Sequence, residues 1–400
     1  MNERERVIIA GAGPVGLSAA IYLASRGLPV TVLEAGPQLG RDLRASTFHP
    51  PTLDMLDEYG ITEQVIAQGL VAATWQIRDR VAGVVGEFDL GILADETAHP
   101  YRVQCEQFKL TRIVYDKLTV YPWAQVIFNS KVTGARQTGD SVRVVTEGPG
   151  GSTEAYRGSY LIGADGASSV VRKEIGVEFE GFTYPELFML ISTPFGFADY
   201  LPKLASINYF ADPKEWLLLL RVPDFWRCLL PASPDRSEEE LMSDDSIESC
   251  LQKVVKSDEP YEIAHRTLYR VHQRVAAAYR KGRIFLAGDA AHVNNPLGGM
   301  GMNGGIHDAF NLAEKIFTVL CKGAAPETLE LYERQRRPVA IECIKAQSMD
   351  NLAVLNETNS EKRKRQFDEV RRTAADPKRA YEFLMRTSML SSLRRAAEVG

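Results

Sequence analysis

The chain has few cysteines and no pattern among them. Cys105, Cys228, Cys250, Cys321 and Cys343 are scattered, odd in number and without a Cys-x-x-Cys pair. That spacing argues against a disulfide framework or a zinc site and suits a reducing compartment, so a cytoplasmic protein with no metal site is expected. No apolar run reaches the roughly 18 residues a membrane span needs; Leu187–Phe197 is too short and contains Pro194. There is no excess of positive charge either. Against 52 Asp and Glu stand 47 Lys and Arg, a formal net charge of −5, which excludes a generally basic nucleic-acid surface. His-Glu-x-x-His, the nucleophile elbow and the Walker loop are all missing, which disfavours metal or hydrolytic chemistry. The charged Met1–Arg6 ahead of Val7–Ala20 has the outline of a secretory leader. Glu3 and Glu5 spoil its positive head, and the glycines that follow have a better explanation.

What remains is an ordinary globular composition: 400 residues, 45% hydrophobic and 25% charged, enough for two or three domains of roughly 150 residues each. Val7–Ala10 is a short apolar, β-branched run and reads as a buried strand. Leu17–Arg26 has helical spacing and ends at Gly27, and Val30–Leu33 is a second buried strand. Strand, helix and strand within thirty residues make a parallel βαβ unit. Helices are expected over Thr52–Tyr59, Phe108–Val120 and Gly304–Leu320, and strands over Ala124–Ser130, Ser141–Thr146, Ser159–Gly163 and Gly282–Ala287. Between 74 and 104, and again between 180 and 274, helical periodicity fades. Ser206–Phe210, Trp216–Val222 and Arg227–Leu230 read there as strands. The expected architecture is therefore α/β. A Rossmann-like lobe built from 1–73, 105–179 and 275–345 carries an inserted β-rich lobe from 74–104 and 180–274. A C-terminal helical segment, 346–400, follows. Glu327–Asn356 is a long helical pattern that Pro338 should kink or break. The last forty residues hold eleven Lys or Arg against six Asp or Glu, and read as a solvated helical cover and tail.

Three segments carry chemistry. Gly11-Ala-Gly13-Pro14-Val15-Gly16 follows a strand, opens a helix, and has Glu34 at the end of the next strand, with Ala35 beside it. Gly11 permits the tight turn, Gly13 lets backbone approach a pyrophosphate, and Gly16 lets helix and strand pack closely. The helix N-terminus offers N–H groups to phosphates, and Glu34 can accept ribose hydroxyls. This unit alone does not choose between NAD(P) and FAD. The second segment, Gly288-Asp289 through Pro296, Gly299, Gly301, Met302 and Asn303, decides. Asp289 at a strand end is placed to accept hydrogen bonds from a polyol. The glycine cluster bares N–H groups that would stabilise negative charge on one edge of a flat ring. The third segment is Gly163-Ala-Asp165-Gly166.

With these motifs in this order, the chain resembles the FAD-dependent aromatic hydroxylases, the single-component flavoprotein monooxygenases of the para-hydroxybenzoate hydroxylase type. Tyr332-Glu333…Arg336-Arg337-Pro338 is a further match, and the similarity spans roughly residues 5–345. The resemblance implies tightly but non-covalently bound FAD, and NAD(P)H as a transient reductant over the same flavin. Arg44 would approach the FAD diphosphate, Gln107 the ribityl or phosphate region, and Val132 the adenine. Asp165 would support the cofactor, Pro296 would sit beside the ring, and Met302 and Asn303 would present backbone to its pyrimidine edge. It also implies O2 capture as a flavin C4a-hydroperoxide and hydroxylation of a small phenolic or N-heteroaromatic substrate, by a monomer or homodimer. The roughly eighty residues after position 320 are too few for the thioredoxin-like domain of the larger phenol-hydroxylase-like relatives. Tyr209, Arg221 and Arg227 lie on strands of the β-rich lobe. Tyr209 and Arg227, with Pro296, are the candidates for lining the catalytic pocket. His292 reads as a loop-structuring residue rather than a base, and His307 and Asp308, on the cofactor helix, read as structural; Trp75 and Arg78 read equally as pocket or solvent-facing residues. The competing expectations are a reductase or dehydrogenase on the same fold, and a flavin-binding protein without catalysis.

Overall fold

The computed structural model describes residues 6–41, 43 and 45–400. Val7–Ala10 forms the buried strand that its composition requires, all four side chains inside. Pro14 follows at the first position of helix Pro14–Ser25, where its missing N–H has no partner to lose. Val30–Leu33 returns in parallel register, Val7 opposite Val30. A six-stranded sheet grows around this unit in the order Arg280–Lys281, Ile284–Leu286, Tyr160–Gly163, Val7–Ala10, Val30–Leu33, Ala124–Ile127. All neighbours are parallel except the first pair. Strands distant in sequence thus lie side by side, and the loops after Ala10, Gly163 and Leu286 open at one edge. Ligands of open α/β sheets bind at that carboxyl end.

The second lobe is built on eight strands. From one edge to the other they are His292–Val293, His265–Ala276, Phe179–Thr193, Trp226–Ala232, Leu217–Arg221, Ile207–Ala211, Thr74–Asp79 and Gly83–Asp89. Its strands read as continuous apolar runs because both faces are covered. Phe188 and Leu190 face one core with Trp75, Phe88, Tyr209, Leu218 and Leu229. Met189 and Ile191, one residue out of phase, face another with Phe210, Leu219, Ile247 and Leu251. Two smaller three-stranded sheets complete the architecture.

Three expectations require correction. Arg102–Gln104 lies inside the stretch assigned to the β-rich lobe. It pairs instead with Thr47–Phe48 and Leu70–Ala72 in a separate three-stranded sheet, not with the eight-stranded one. Pro338 ends helix Glu330–Pro338 without ending helical winding, since Val339–Lys345 continues as a π-helical stretch into Ala346–Leu355. The wider turn absorbs the donor that proline lacks. The C-terminal segment is not a solvated tail. Helices Ser360–Ala375 and Pro377–Thr387 start at side-chain caps, Asn359 and Asp376. They lay Phe367, Leu384 and Met385 into the same core as Trp75 and Phe88. Arg363 fastens the first of them to the sheet through Asp79 at 2.6 Å.

Leu384 is fully buried in this seam. Leu384→Ala is expected to cost about 2–5 kcal/mol of unfolding free energy, as for other buried leucines. Urea denaturation of the variant measures it, and a value near zero would mean that the C-terminal helices are not part of the core.

Candidate active site

Three glycine segments meet at the carboxyl end of the six-stranded sheet. Gly11 has φ +100°, and a Cβ there would stand 2.5 Å from the Ala164 carbonyl oxygen, so the first loop lies directly against the Ala164–Asp165 backbone. A Cβ on Gly16 would fall 2.0 Å from the Gly11 oxygen, which is why helix and strand can touch. From the same helix, Val15 packs on the second segment: a Cβ on Gly288 or Gly305 would lie 2.6 Å from its Cγ2. Gly13 is the exception, since a Cβ there would meet nothing within 4 Å. Helix Pro14–Ser25 starts at Gly13 with no side-chain cap. Open space, bare N–H groups and the positive end of a helix coincide at this point, and a diphosphate fits it.

Glu34 stands at one end of this run of backbone. Its carboxylate accepts from the Ala12 and Gly36 N–H groups, each at 2.8 Å, which fixes its orientation beside exposed Ala35. Asp289, exposed after buried Gly288, stands at the other end. Glu34, Ala12, Gly13, Val15, Gly288 and Asp289 therefore form one continuous border, and the elongated FAD molecule fits along it. Helix Met300–Cys321 begins at Gly299 (φ +66°), also without a side-chain cap, so the N–H groups of Met300, Gly301 and Met302 have no carbonyl within the helix. The Asn303 side chain is committed to the protein. It accepts from His49 N–H (3.0 Å) and donates to the Thr47 (2.8 Å) and Gly299 (2.6 Å) carbonyls, leaving only its backbone to face a ligand. His49 Nε2 lies 2.8 Å from the Gly298 oxygen and so carries the ring proton. Burial and nearby Arg102 hold its pKa well below that of an ordinary histidine.

Beneath the loop is a buried ionic node. Asp308 accepts from Gly288 N–H at 3.2 Å, from His292 Nε2 at 2.8 Å and from Arg336 Nε at 2.7 Å. Burial alone would raise its pKa; Arg336 and His292 overcome that and keep the carboxyl below its usual range. Tyr332 OH donates to the Leu286 carbonyl at 2.6 Å from the same flanking helix. The sequence carried this node as the Tyr332…Arg336 motif and read His292 as loop-structuring and Asp308 as structural, without bringing the three together. His307, the neighbour of Asp308, sits 2.8 Å from Thr52 Oγ1, and burial together with Arg336 pushes its pKa down to about 3.

A cavity of about 250 Å³ opens where the two lobes meet. The sheet contributes Trp75, Ile77, Phe88 and Tyr209, the flavin-side loop Gly298 and Met300, and the C-terminal helices Gln347, Leu355, Val370 and Phe383. Trp75 and Phe88 stack at 4.7 Å between centroids, Phe88 lies 4.6 Å from Phe383, and Tyr209 meets Trp75 edge-on at 5.6 Å. Arg102 also lines it. Neither this arginine nor the helical side of the wall was legible in the sequence, because residues lying more than a hundred positions apart carry no joint spacing.

The remaining expectations fall out variously. Tyr209 stands in the cavity wall and Pro296, half-buried, in the loop beside it. Arg227 does not line the cavity. Its guanidinium donates to Ser46 Oγ (2.8 Å) and the Leu43 carbonyl, tying the two lobes together, and that corrects its assignment as a pocket residue. Arg221 lies over Trp226, and buried Arg78 is spent on the Pro202 and Lys203 carbonyls. Asp165 accepts from Ser169 Oγ and from the Val170 and Val171 N–H groups, capping a short helix. Gln107 is half-buried as the first residue of helix Gln107–Leu118, and Val132 is buried on strand Lys131–Thr138. Arg44 lies outside the described residues. Among the described residues no cluster of metal-ligating side chains occurs, and no helix is long and apolar enough to cross a membrane.

Comparison with known proteins agrees with this geometry. The family model for the FAD binding domain matches residues 4–347. Para-nitrophenol 4-monooxygenase of Pseudomonas sp. (strain WBC-3) is 30% identical over 403 residues, 98% of each chain. 6-Hydroxy-3-succinoylpyridine 3-monooxygenase of Pseudomonas putida (strain DSM 28022 / S16) is 35% identical over 88% of this chain and 89% of its own. The crystal structure of p-nitrophenol 4-monooxygenase from Pseudomonas putida DLL-E4 superposes with a TM-score of 0.92 at 30% identity, covering 98% of this chain and 99% of that one.

Two outcomes follow from these contacts. Gly13→Val should leave the flavin-free protein within about 0.5 kcal/mol of its parent, as at other open surface positions. It should also weaken FAD binding by at least about tenfold, measured by fluorescence titration of the apoprotein. Gly16→Ala should instead lower apoprotein stability directly. For His307, the folded pKa lies below the unfolded one, so the unfolded chain binds more protons between them. Stability should fall as pH drops from about 6.5 toward about 3. Denaturation midpoints at about pH 7.5 and about pH 5 should show a smaller difference in His307→Gln than in the parent.

Proposed function

The chain belongs to the FAD-dependent aromatic hydroxylases and is a flavin monooxygenase of aromatic substrates with NAD(P)H as reductant. On that premise we propose that it hydroxylates a single-ring phenol or hydroxylated N-heteroaromatic with O2 as the oxygen source, in the cavity between its two lobes. The observation that carries this reading is the cavity itself. Its aromatic walls enclose about 250 Å³, a volume for one ring rather than several, and it opens directly onto Gly298 and Met300 at the head of the flavin helix. The relatives named above act, by their names, on a nitrophenol and on a hydroxypyridine.

Bound FAD supplies the hydride-accepting and O2-activating chemistry. The protein supplies position and dryness. Gly11, Gly13, Pro14, Val15 and Gly16 present the helix N-terminus to the diphosphate, Glu34 takes the adenosine ribose hydroxyls with Ala35 alongside, and Val132 borders the adenine. Gln107 and Asp289 take the ribityl chain. Gly299, Gly301, Met302 and Asn303 turn backbone N–H groups toward the electron-rich ring edge, where a helix N-terminus stabilises negative charge. Asp165 contributes shape, through the backbone that Gly11 abuts. Tyr209 bounds the reacting space, Pro296 lies two residues before cavity-lining Gly298, and Trp75, Phe88 and Phe383 keep water out. The scattered cysteines remain the basis for proposing a cytoplasmic location.

The test is NAD(P)H oxidation and O2 consumption by the yellow holoenzyme across a panel of phenols and N-heteroaromatic acids, with product masses measured. A gain of one oxygen atom on a single-ring substrate is expected. Peroxide in full yield with every ring unchanged would overturn the hydroxylase reading.

A further inference from the structure

Three of the four aromatic side chains around the cavity, Trp75, Phe88 and Tyr209, stand on the eight-stranded sheet and belong to the core cluster behind it. The fourth, Phe383, comes from helix Pro377–Thr387. Its ring centroid lies 4.6 Å from that of Phe88 and 5.8 Å from that of Trp75. Arg386 stands over the ring at 5.5 Å. Gln347 tethers that arginine, accepting from its Nε at 3.3 Å while donating to Asn351 at 3.0 Å. Aromatic neighbours and a tethered guanidinium together hold the Phe383 ring in place.

The helix that carries Phe383 is anchored by other residues. Asp376 caps its start, Leu384 and Met385 enter the core, and the Tyr381 hydroxyl donates to Glu96. Leu384 is fully buried outside the cavity wall, whereas Phe383 is half-buried and faces the cavity. The charged members of the helical wall, Asp350, Glu369 and Arg386, are exposed at its rim. Phe383 is thus the bulkiest apolar group on the helical side. An apolar cavity of about 150 Å³ admits benzene. The space here, about 250 Å³, leaves room for the substituents of one ring but not for a second fused ring carrying them. A fused ring system is rigid, so its excess must displace a packed wall, and packed interiors resist such insertion.

We propose that Phe383 sets the size limit of the substrate. Its ring occupies the space that a second fused ring needs, so the enzyme accepts one aromatic ring and refuses two. The inference deepens the proposed function and rests on the cavity being the substrate site.

The holoenzyme is titrated with two matched pairs, 4-nitrophenol against 4-nitro-1-naphthol and 3-hydroxypyridine against 3-hydroxyquinoline. Binding is followed by the change in flavin absorbance and by equilibrium dialysis. In the parent, each single ring is expected to bind about tenfold or more tightly than its two-ring partner. Phe383→Ala should bring that ratio to about one or below by tightening the two-ring compounds, and Phe383→Leu should move it part of the way. Leu384→Ala, which weakens the same helix without touching the cavity, should leave the ratio where it is. Equal affinities within either pair in the parent overturn the inference without recourse to any variant. So does a parental ratio kept by both Phe383 variants, or a Leu384→Ala ratio that moves as far as that of Phe383→Ala. Product masses on the same compounds separate the two readings. Hydroxylation of one and two rings alike by the parent sinks only the role of Phe383. Size selection with no ring ever gaining oxygen sinks the hydroxylase reading.

Discussion

One carboxylate, that of Asp308, holds the cofactor-facing loop in place. It is fully buried and takes hydrogen bonds from three separate stretches of chain: the turn at Gly288, the loop at His292 and the flanking helix at Arg336. Removing one member of such a group leaves an uncompensated charge in the interior, a loss of order 3–5 kcal/mol. The node therefore anchors the turn at Gly288, next to Asp289, to the helix Met300–Cys321 that carries Asp308. Both ends of the second glycine segment inherit their positions from it.

The border between the lobes depends on arginines used in two opposite ways. Arg227 is satisfied by Ser46 and the Leu43 carbonyl and joins the lobes as a strut. Arg102 is buried in the cavity wall, donates to the Thr387 carbonyl, and among the described residues has no carboxylate partner. The residue type and burial are the same in both, so the difference lies wholly in what surrounds each guanidinium. One is spent on the seam between the lobes, and the other stands in the cavity wall.

That distinction also marks where the sequence could and could not be read. The strand–helix–strand opening, Glu34 and the Gly288–Asp289 segment were legible because their chemistry depends on local spacing, and Val7–Ala10 and Val30–Leu33 emerge as expected. Arg227 was misjudged because a strand arginine gives no sign of which lobe will approach it. Arg102 passed unnoticed, and Asp308 was read as structural without its partners, because Thr387 and Tyr209 in one case and Gly288 and Arg336 in the other are brought together only by tertiary packing. The basic terminal stretch looked solvated because its charges dominate the composition. Its buried face is carried by a few residues, Phe367, Leu384 and Met385 among them.

The helices after residue 346 form one side of the cavity and also brace the second glycine segment, Asn351 donating to the Leu297 carbonyl at 3.3 Å and Asn295 to the Ser348 carbonyl at 2.9 Å. Only the later helices, which carry Val370 and Phe383, face the cavity away from that brace. Selection can rework Val370 or Phe383 to admit a new compound while the brace on the cofactor loop is inherited intact, which gives this scaffold a built-in route to chemical diversification.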